Sequence, residues 1–355
     1  MRVLLFGTSK EFNDPNGSGI SRYAYELSNN LVRLSKAQKG INIESANYPT
    51  LPLFSAGLSP FIFSILKFRY YNRYNIVHNI EPKPIFTINR KFILITTFHD
   101  LRPLLLPNLT KSDFRNMHTA LGFVLTIKPG MQIGLNSDYF IANSTQTQNE
   151  LMSVGVNKKK IFVTNLGVDN RFLRDTYKKA KSNKAKFKIG YIGLIGENKN
   201  VRFAINAIKL LSQDTYYFEI YGKPEYGYEQ LTEIAKKNKN IRFAGFAPES
   251  KLVDIYDSFD VFVHPSLYEG FGLPILEAQA RGLPVIIYKY GKIPKEVRRY
   301  CFEAESPEHM AQIIENLKKN GYNEKKRKKA MDYARSFTWE RTARETLRIY
   351  KKISD

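Results

Sequence analysis

The chain has one cysteine, Cys301, and one tryptophan, Trp339, among its 355 residues. A lone thiol excludes an intramolecular disulfide framework and any cysteine-built zinc module. Long apolar runs are also missing. Lys67, Arg69, Lys91 and Lys128 interrupt the best stretches before they reach the roughly 18 to 20 residues of a spanning helix. The opening MRVLLFG is too short for the core of a secretion signal and runs directly into a polar, glycine-containing loop. A cytoplasmic protein is expected, with any membrane contact peripheral. Acidic residues are scarce: 33 Asp and Glu stand against 55 Lys and Arg, a net charge of +22. That balance favours an anionic partner, whether nucleic acid, a phospholipid surface or a phosphorylated substrate, and does not choose among them. Three motifs are absent as well: G-K-[ST], a full G-x-G-x-x-G after the first strand, and any Asp-x-Asp pair. No metal cofactor is expected.

What is present is a grammar of alternating strands and helices. MRVLLFG reads as a buried strand, the segment through Gly17 and Gly19 as a loop, and ISRYAYELSNNLVRLSK as an amphipathic helix. Further strands are read at INIESA, YNIVHNI, FILITTFHD, YFIANS and IFVTNLG. A lysine-rich stretch without apolar periodicity, residues 174–186, reads as a linker. After it the pattern starts afresh with KIGYIG, GENKN and VRFAINAIKLLSQ, and continues through VFVHPS and LPVIIY. The expected architecture is α/β, with two doubly wound Rossmann-like domains facing a crevice. Their expected extents are 1–173 and 187–336. The tail, 337–355, reads as a helix packing back towards the first domain.

The segment HPSLYEGFGLPILEAQARGLPVI, residues 264–286, carries the most information. It reads as a strand end, a glycine loop, Pro274 at a helix start and Glu277 in the first turn. Orphan amides and the helix dipole make such a start an anion site, so a phosphate is expected against Phe271, Gly272 and Leu273.

These residues resemble the family 4 retaining glycosyltransferases of GT-B fold. Two glutamates with seven residues between them, Glu269 and Glu277, inside EGFGLPILEAQARGLPVI, look like that family's signature. GSGISRYAYEL, TTFHDLRPLLLP, FIANSTQTQNEL, KKIFVTNLGVD, KNVRFAINAIKLL and FTWER extend the likeness over both domains in the correct order. The resemblance implies a nucleotide-diphosphate sugar as donor substrate. Glu277 would take the ribose hydroxyls, Glu269 the transferred sugar, and Lys199 the diphosphate, whose charge grows as the bond breaks. Gly17 and Gly19 would approach the same diphosphate, and His99 would reach the donor sugar. In two places the chain departs from the family, with Leu194 and Asn198 where basic residues are common. The acceptor implied is a glycan, glycolipid or lipid-linked hydroxyl.

Other readings stay beside this one. A sugar-phosphate or polysaccharide synthase shares the fold. A basic nucleic-acid-binding or nucleic-acid-modifying protein would account for the charge, but the chain carries no nucleic-acid-reading motif. An NAD-dependent oxidoreductase lacks its fingerprint. Residues 59–75 read equally as an amphipathic helix on an anionic bilayer or as a crossover helix on the sheet. The lysine runs read as solvated faces rather than binding sites. His264 reads as a structural or a ligand-contacting residue, and His78, His118 and His309 as structural.

Overall fold

A computed structural model of the chain describes residues 1–8, 12–14, 19–48, 68–83, 85, 89–105, 128–174, 186–224 and 228–354. These residues form two compact units, each built on a six-stranded sheet whose pairings are all parallel.

The first sheet has the order β2-β1-β3-β4-β5-β6. Its strands are β1 (Arg2–Thr8), β2 (Asn42–Tyr48), β3 (Ile76–Asn79), β4 (Ile93–Phe98), β5 (Tyr139–Ala142) and β6 (Ile161–Val163). β1 is internal: Val3 pairs with Ile43 on one side and Ile76 on the other. Strands buried on both faces read as continuous apolar runs, hence Val3, Leu4, Leu5 and Phe6 in succession without exposure. Helix α1 (Gly19–Lys36) buries Tyr23, Ala24, Leu27, Leu31 and Leu34, a stripe at helical spacing. Helix α2 (Thr145–Ser153) starts where the Ser144 hydroxyl accepts from the Thr147 amide at 3.1 Å.

The second sheet, β12-β11-β10-β7-β8-β9, is built from β7 (Phe187–Ile192), β8 (Tyr216–Tyr221), β9 (Ile241–Gly245), β10 (Val261–His264), β11 (Val285–Tyr288) and β12 (Phe302–Ala304). Around it lie α3 (Val201–Lys209), α4 (Leu273–Ala280), α5 (Pro307–Asn320) and α6 (Glu324–Arg335). The α6 helix contains most of the last lysine run. Asn323 caps it by accepting from the Lys326 amide, Ala330 and Ala334 are buried, and most of the lysines form its solvated face.

One unit gathers the described residues up to Gly167 together with those from Thr338 onward, and the other is Val168–Phe337. The terminal helix α7 (Trp339–Ser354) thus belongs with the first sheet. It buries Trp339, Thr342, Thr346, Leu347 and Tyr350, and the Thr342 hydroxyl donates to the Asn165 carbonyl at 2.7 Å. Residues 168–173, read from the sequence as the end of the first domain, pack with the second. Arg171 is ion-paired with Glu249, and the Phe172 ring meets Tyr256 edge-on at 5.6 Å. Buried Arg281 grips Asp257 through two nitrogens and donates to the carbonyls of Phe172 and Arg174. Of the expected linker 174–186, residues 175–185 lie outside the described residues. Of the 59–75 segment, the described end packs on the sheet, with Tyr71 edge-on to Phe6 and both tyrosines Tyr71 and Tyr74 in the core. Among the described residues no helix is long and apolar enough to cross a membrane.

Candidate active site

In an open parallel sheet, ligands bind outside the carboxyl ends of the strands where the strand order reverses. In the second sheet that point is β7, flanked by β10 and β8. The segments leaving β7 and β10 carry Lys199 and Glu269, and the fold brings them together. Lys199 Nζ lies 2.7 Å from Glu269 Oε1, and His264 Nε2 lies 2.7 Å from the same oxygen. Glu269 is only 8% exposed. Burial alone would push its carboxyl pKa up, but the Lys199 charge and the His264 hydrogen bond together hold it well below the usual carboxylate range.

Backbone hydrogen bonds hold the loop carrying Glu269 on two sides. The Leu267 amide donates to the Asn198 carbonyl at 2.9 Å, and the Asn198 side-chain amide to the Tyr268 carbonyl at 3.2 Å. On the other side Glu269 donates to the Lys292 carbonyl, and Lys292 to that of Leu267. Gly291 passes so close that a Cβ there would sit 2.2 Å from the Ser266 carbonyl oxygen. Asn198, where a basic residue was expected from the resemblance, therefore fastens the loop. Leu194 contributes no charge either; it is 43% exposed beyond β7.

Gly272, at φ +97°, turns the chain into α4 in the left-handed region that favours glycine. The helix begins at Leu273 with Pro274 second, so Glu277 falls in the second turn rather than the first turn expected from the sequence. Its carboxylate is therefore not explained as a first-turn partner of the helix dipole. It is buried, and accepts from the Tyr256 hydroxyl through Oε2 at 2.8 Å. The Ile275 amide already donates to the Gly272 carbonyl, and Pro274 has no N–H. Gly272 and Leu273 supply the open amides at this helix start, whereas the Phe271 ring is core, packed against Phe337.

The first sheet reverses its order at β1 and β3. Gly17 lies outside the described residues. Gly19 opens α1, and a Cβ there would meet nothing within 4 Å, so packing does not account for the glycine. His99 follows β4 and donates from Nε2 to the Ile80 carbonyl at 3.0 Å, which leaves Nδ1 as an acceptor. Burial pulls its pKa below the ordinary value, against the opposing pull of that bond and of Glu81. The Tyr23 ring meets it edge-on at 4.8 Å. Behind Tyr23 runs a buried chain: Tyr23 to Thr97 (3.0 Å), Thr97 to His78 (2.7 Å), and His78 to Tyr350 of α7 (2.5 Å). Burial, with the nearby His99 charge, brings the His78 pKa down to about 3. Among the described residues no three His, Cys, Asp or Glu side chains are grouped to share a metal ion.

Residues 17–172 match the profile described as Glycosyltransferase Family 4, and residues 174–337 that of Glycosyl transferases group 1. The chain belongs to the family 4 glycosyltransferases of GT-B fold. Among curated relatives of this glycosyltransferase, O-antigen chain mannosyltransferase B of Escherichia coli is 31% identical over 172 residues, 46% of this chain and 45% of that one. The chain thus matches about half the length of that relative. Among solved structures, sucrose-phosphate synthase of Thermosynechococcus elongatus superposes with a TM-score of 0.73 at 16% identity, covering 99% of both chains. HepE of Anabaena, solved with UDP and glucose, gives 0.68 at 16% identity and covers 100% of both. At such identities these structures bear on the fold.

Of the residues singled out in the sequence, Glu269 and Lys199 meet in one ion pair, and Gly272 and Leu273 share one helix start. Glu277 stands on that helix, with Tyr256 as its hydroxyl partner. His264, which the sequence reads as structural or ligand-contacting, is bonded to Glu269. Tyr256 gave no signal in the sequence, because a tyrosine in an amphipathic helix reads as core. Of the remaining histidines, His118 lies outside the described residues, and His309 sits in the first turn of α5, donating its amide to Ser306.

Proposed function

We propose that the protein transfers a hexose from a nucleotide-diphosphate sugar to the hydroxyl of a glycan or lipid-linked glycan, with retention at the anomeric carbon and without a metal ion. The observation that carries this reading is the buried Glu269 held charged by Lys199 at the carboxyl-end switch point of the second sheet. A carboxylate and a cation kept out of bulk water there suit a polar sugar beside a diphosphate. In this reading Lys199 and the open amides of Gly272 and Leu273 take the diphosphate. Glu277 takes the ribose hydroxyls, and Glu269 takes hydroxyls of the sugar. In the first unit His99 offers its Nδ1 lone pair to a sugar hydroxyl, and Gly17 and Gly19 offer backbone to phosphate.

The bond from the anomeric carbon to the diphosphate oxygen breaks while the acceptor oxygen bonds to the same face of that carbon. The acceptor's proton passes to the departing phosphate oxygen. The protein's contribution is positioning and stabilisation of the leaving charge. A second reading, transfer to a phosphorylated sugar, is favoured by the likeness to sucrose-phosphate synthase. The surplus of positive charge supports an acceptor displayed at an anionic surface, which co-sedimentation with anionic and neutral vesicles would test.

The test is turnover and thermal stabilisation across UDP-, GDP- and ADP-sugars, with hexose phosphates and lipid-linked glycans as acceptors. Selective response to one donor, lost in Glu277→Ala, is expected. Equal response in wild type and Glu277→Ala would remove the reading.

A further inference from the structure

Within the donor-site reading above, on which this inference rests, Lys199 has two duties that compete. At rest it is bound to Glu269 Oε1 at 2.7 Å, and it must turn to the diphosphate when the donor arrives. That movement would strip a buried carboxylate of its cation, and an uncompensated buried charge is costly. A partner that stays is His264. Its Nε2 reaches the same Oε1 at 2.7 Å, and its ring is buried beside two aromatic rings. Tyr191 and Phe262 lie nearly parallel to it, each with its centroid 6.0 Å away, at 13° and 18°. The ring is 1% exposed. Its other nitrogen, Nδ1, is buried with no hydrogen-bond partner among the described residues, so Glu269 is what draws the ring proton to Nε2. The Tyr191 plate is itself pinned, its hydroxyl donating to the Leu194 carbonyl at 2.6 Å.

We infer that His264 is the positioning residue of Glu269: it keeps the carboxylate aimed at the donor sugar after Lys199 leaves for the diphosphate. The Lys199–Glu269 pair is then the resting clasp of the site, opened by the diphosphate rather than maintained through the reaction.

Two substitutions separate this from a packing role. His264→Phe keeps an aromatic ring beside Tyr191 and Phe262 and removes the N–H. His264→Gln keeps an N–H near the Nε2 position and removes the ring. The experiment compares the two variants with wild type in donor turnover, thermal unfolding and affinity for UDP, GDP and ADP. If His264 positions Glu269, His264→Phe unfolds like wild type and binds the nucleoside diphosphate within about twofold, yet its kcat falls about 10²-fold, the cost of misplacing a reacting partner by an ångström. His264→Gln recovers most of that kcat. Wild-type kcat in His264→Phe would overturn the inference, and so would a His264→Gln variant as slow as His264→Phe. Glu277→Ala serves as the control for the site itself. If it binds nucleoside diphosphate as wild type does, the donor-site reading fails whatever the His264 variants show.

Discussion

The two units share one architecture and treat buried ionisable groups in opposite ways. At the first sheet's carboxyl ends burial wins: His78 is brought down to about 3, and the His99 pKa is also lowered. Their partners there are hydroxyls and a carbonyl, which satisfy a neutral ring. At the second sheet's carboxyl ends burial loses: Glu269 is as enclosed, yet Lys199 and His264 converge on one of its oxygens and keep it charged. Burial sets the cost of a charge in both units, and the partner decides whether the cost is met. The first unit therefore offers neutral hydrogen-bonding groups, the second a fixed ion pair.

The largest effect should come from removing the cation. Lys199→Met leaves Glu269 buried without the cation, while His264 still donates to it. Turnover should fall about 10²- to 10³-fold, with a loss of about 3 kcal/mol in stability at pH 7. The sign with pH follows from the direction of the shift. In the wild type Glu269's folded pKa lies below its unfolded value of about 4.5. Its stabilisation is complete above that value and is lost as the pH falls through the folded one. In the variant burial raises the folded pKa, so the penalty is greatest at neutral pH. Denaturant unfolding at pH 7 and pH 4 should therefore show the gap between wild type and variant narrowing on acidification. A constant gap would mean that the pair does not keep Glu269 charged.

Two glycines sharpen the comparison sterically. A Cβ at Gly222 would lie 1.7 Å from the Gly193 carbonyl oxygen, whereas one at Gly19 meets nothing within 4 Å. Gly222→Ala should cost about 3 kcal/mol by overpacking. Gly19→Ala should leave the melting temperature unchanged while lowering donor turnover. A Gly19→Ala protein as active as wild type would remove Gly19 from the donor's contacts.

Much of this was legible in the sequence. VFVH and VIIY announce parallel strands buried on both faces, and the likeness of EGFGLPILEAQARGLPVI to the family signature picks out the segment that carries Glu269 and Glu277. What was not legible is long-range or short. The Lys199–Glu269 pair joins residues 70 apart, and no local pattern encodes it. Glu277 falls in the second turn and not the first because the left-handed Gly272 starts the helix at Leu273, one residue before the Pro274 start read from the sequence. β12 spans only Phe302–Ala304, too few residues to show an alternation. The 324–335 helix hides behind its lysines, since only two small residues, Ala330 and Ala334, are fully buried.

A smaller effect breaks the comparison from the first unit's side. His78's folded pKa lies below the ordinary 6.5, so the stability it contributes is complete above about pH 6.5 and is lost as the pH falls towards 3. One proton sets the slope at up to about 1.4 kcal/mol per pH unit. His78→Gln should be less stable at pH 7 and should lose less between pH 6.5 and pH 4. Parallel pH profiles for the two proteins would show that the Thr97–His78–Tyr350 chain does not hold His78 neutral.

The most direct test of the ion-pair account is the affinity of Glu269→Gln for the nucleoside diphosphate, measured by calorimetric titration beside its sugar turnover. Glutamine releases Lys199 from its clasp and removes the sugar's carboxylate. The account predicts opposite changes: tighter binding of UDP, GDP or ADP, whichever the wild type selects, together with a large loss of turnover. Unchanged or weaker nucleotide binding would contradict it, because Lys199 would then not be divided between Glu269 and the diphosphate.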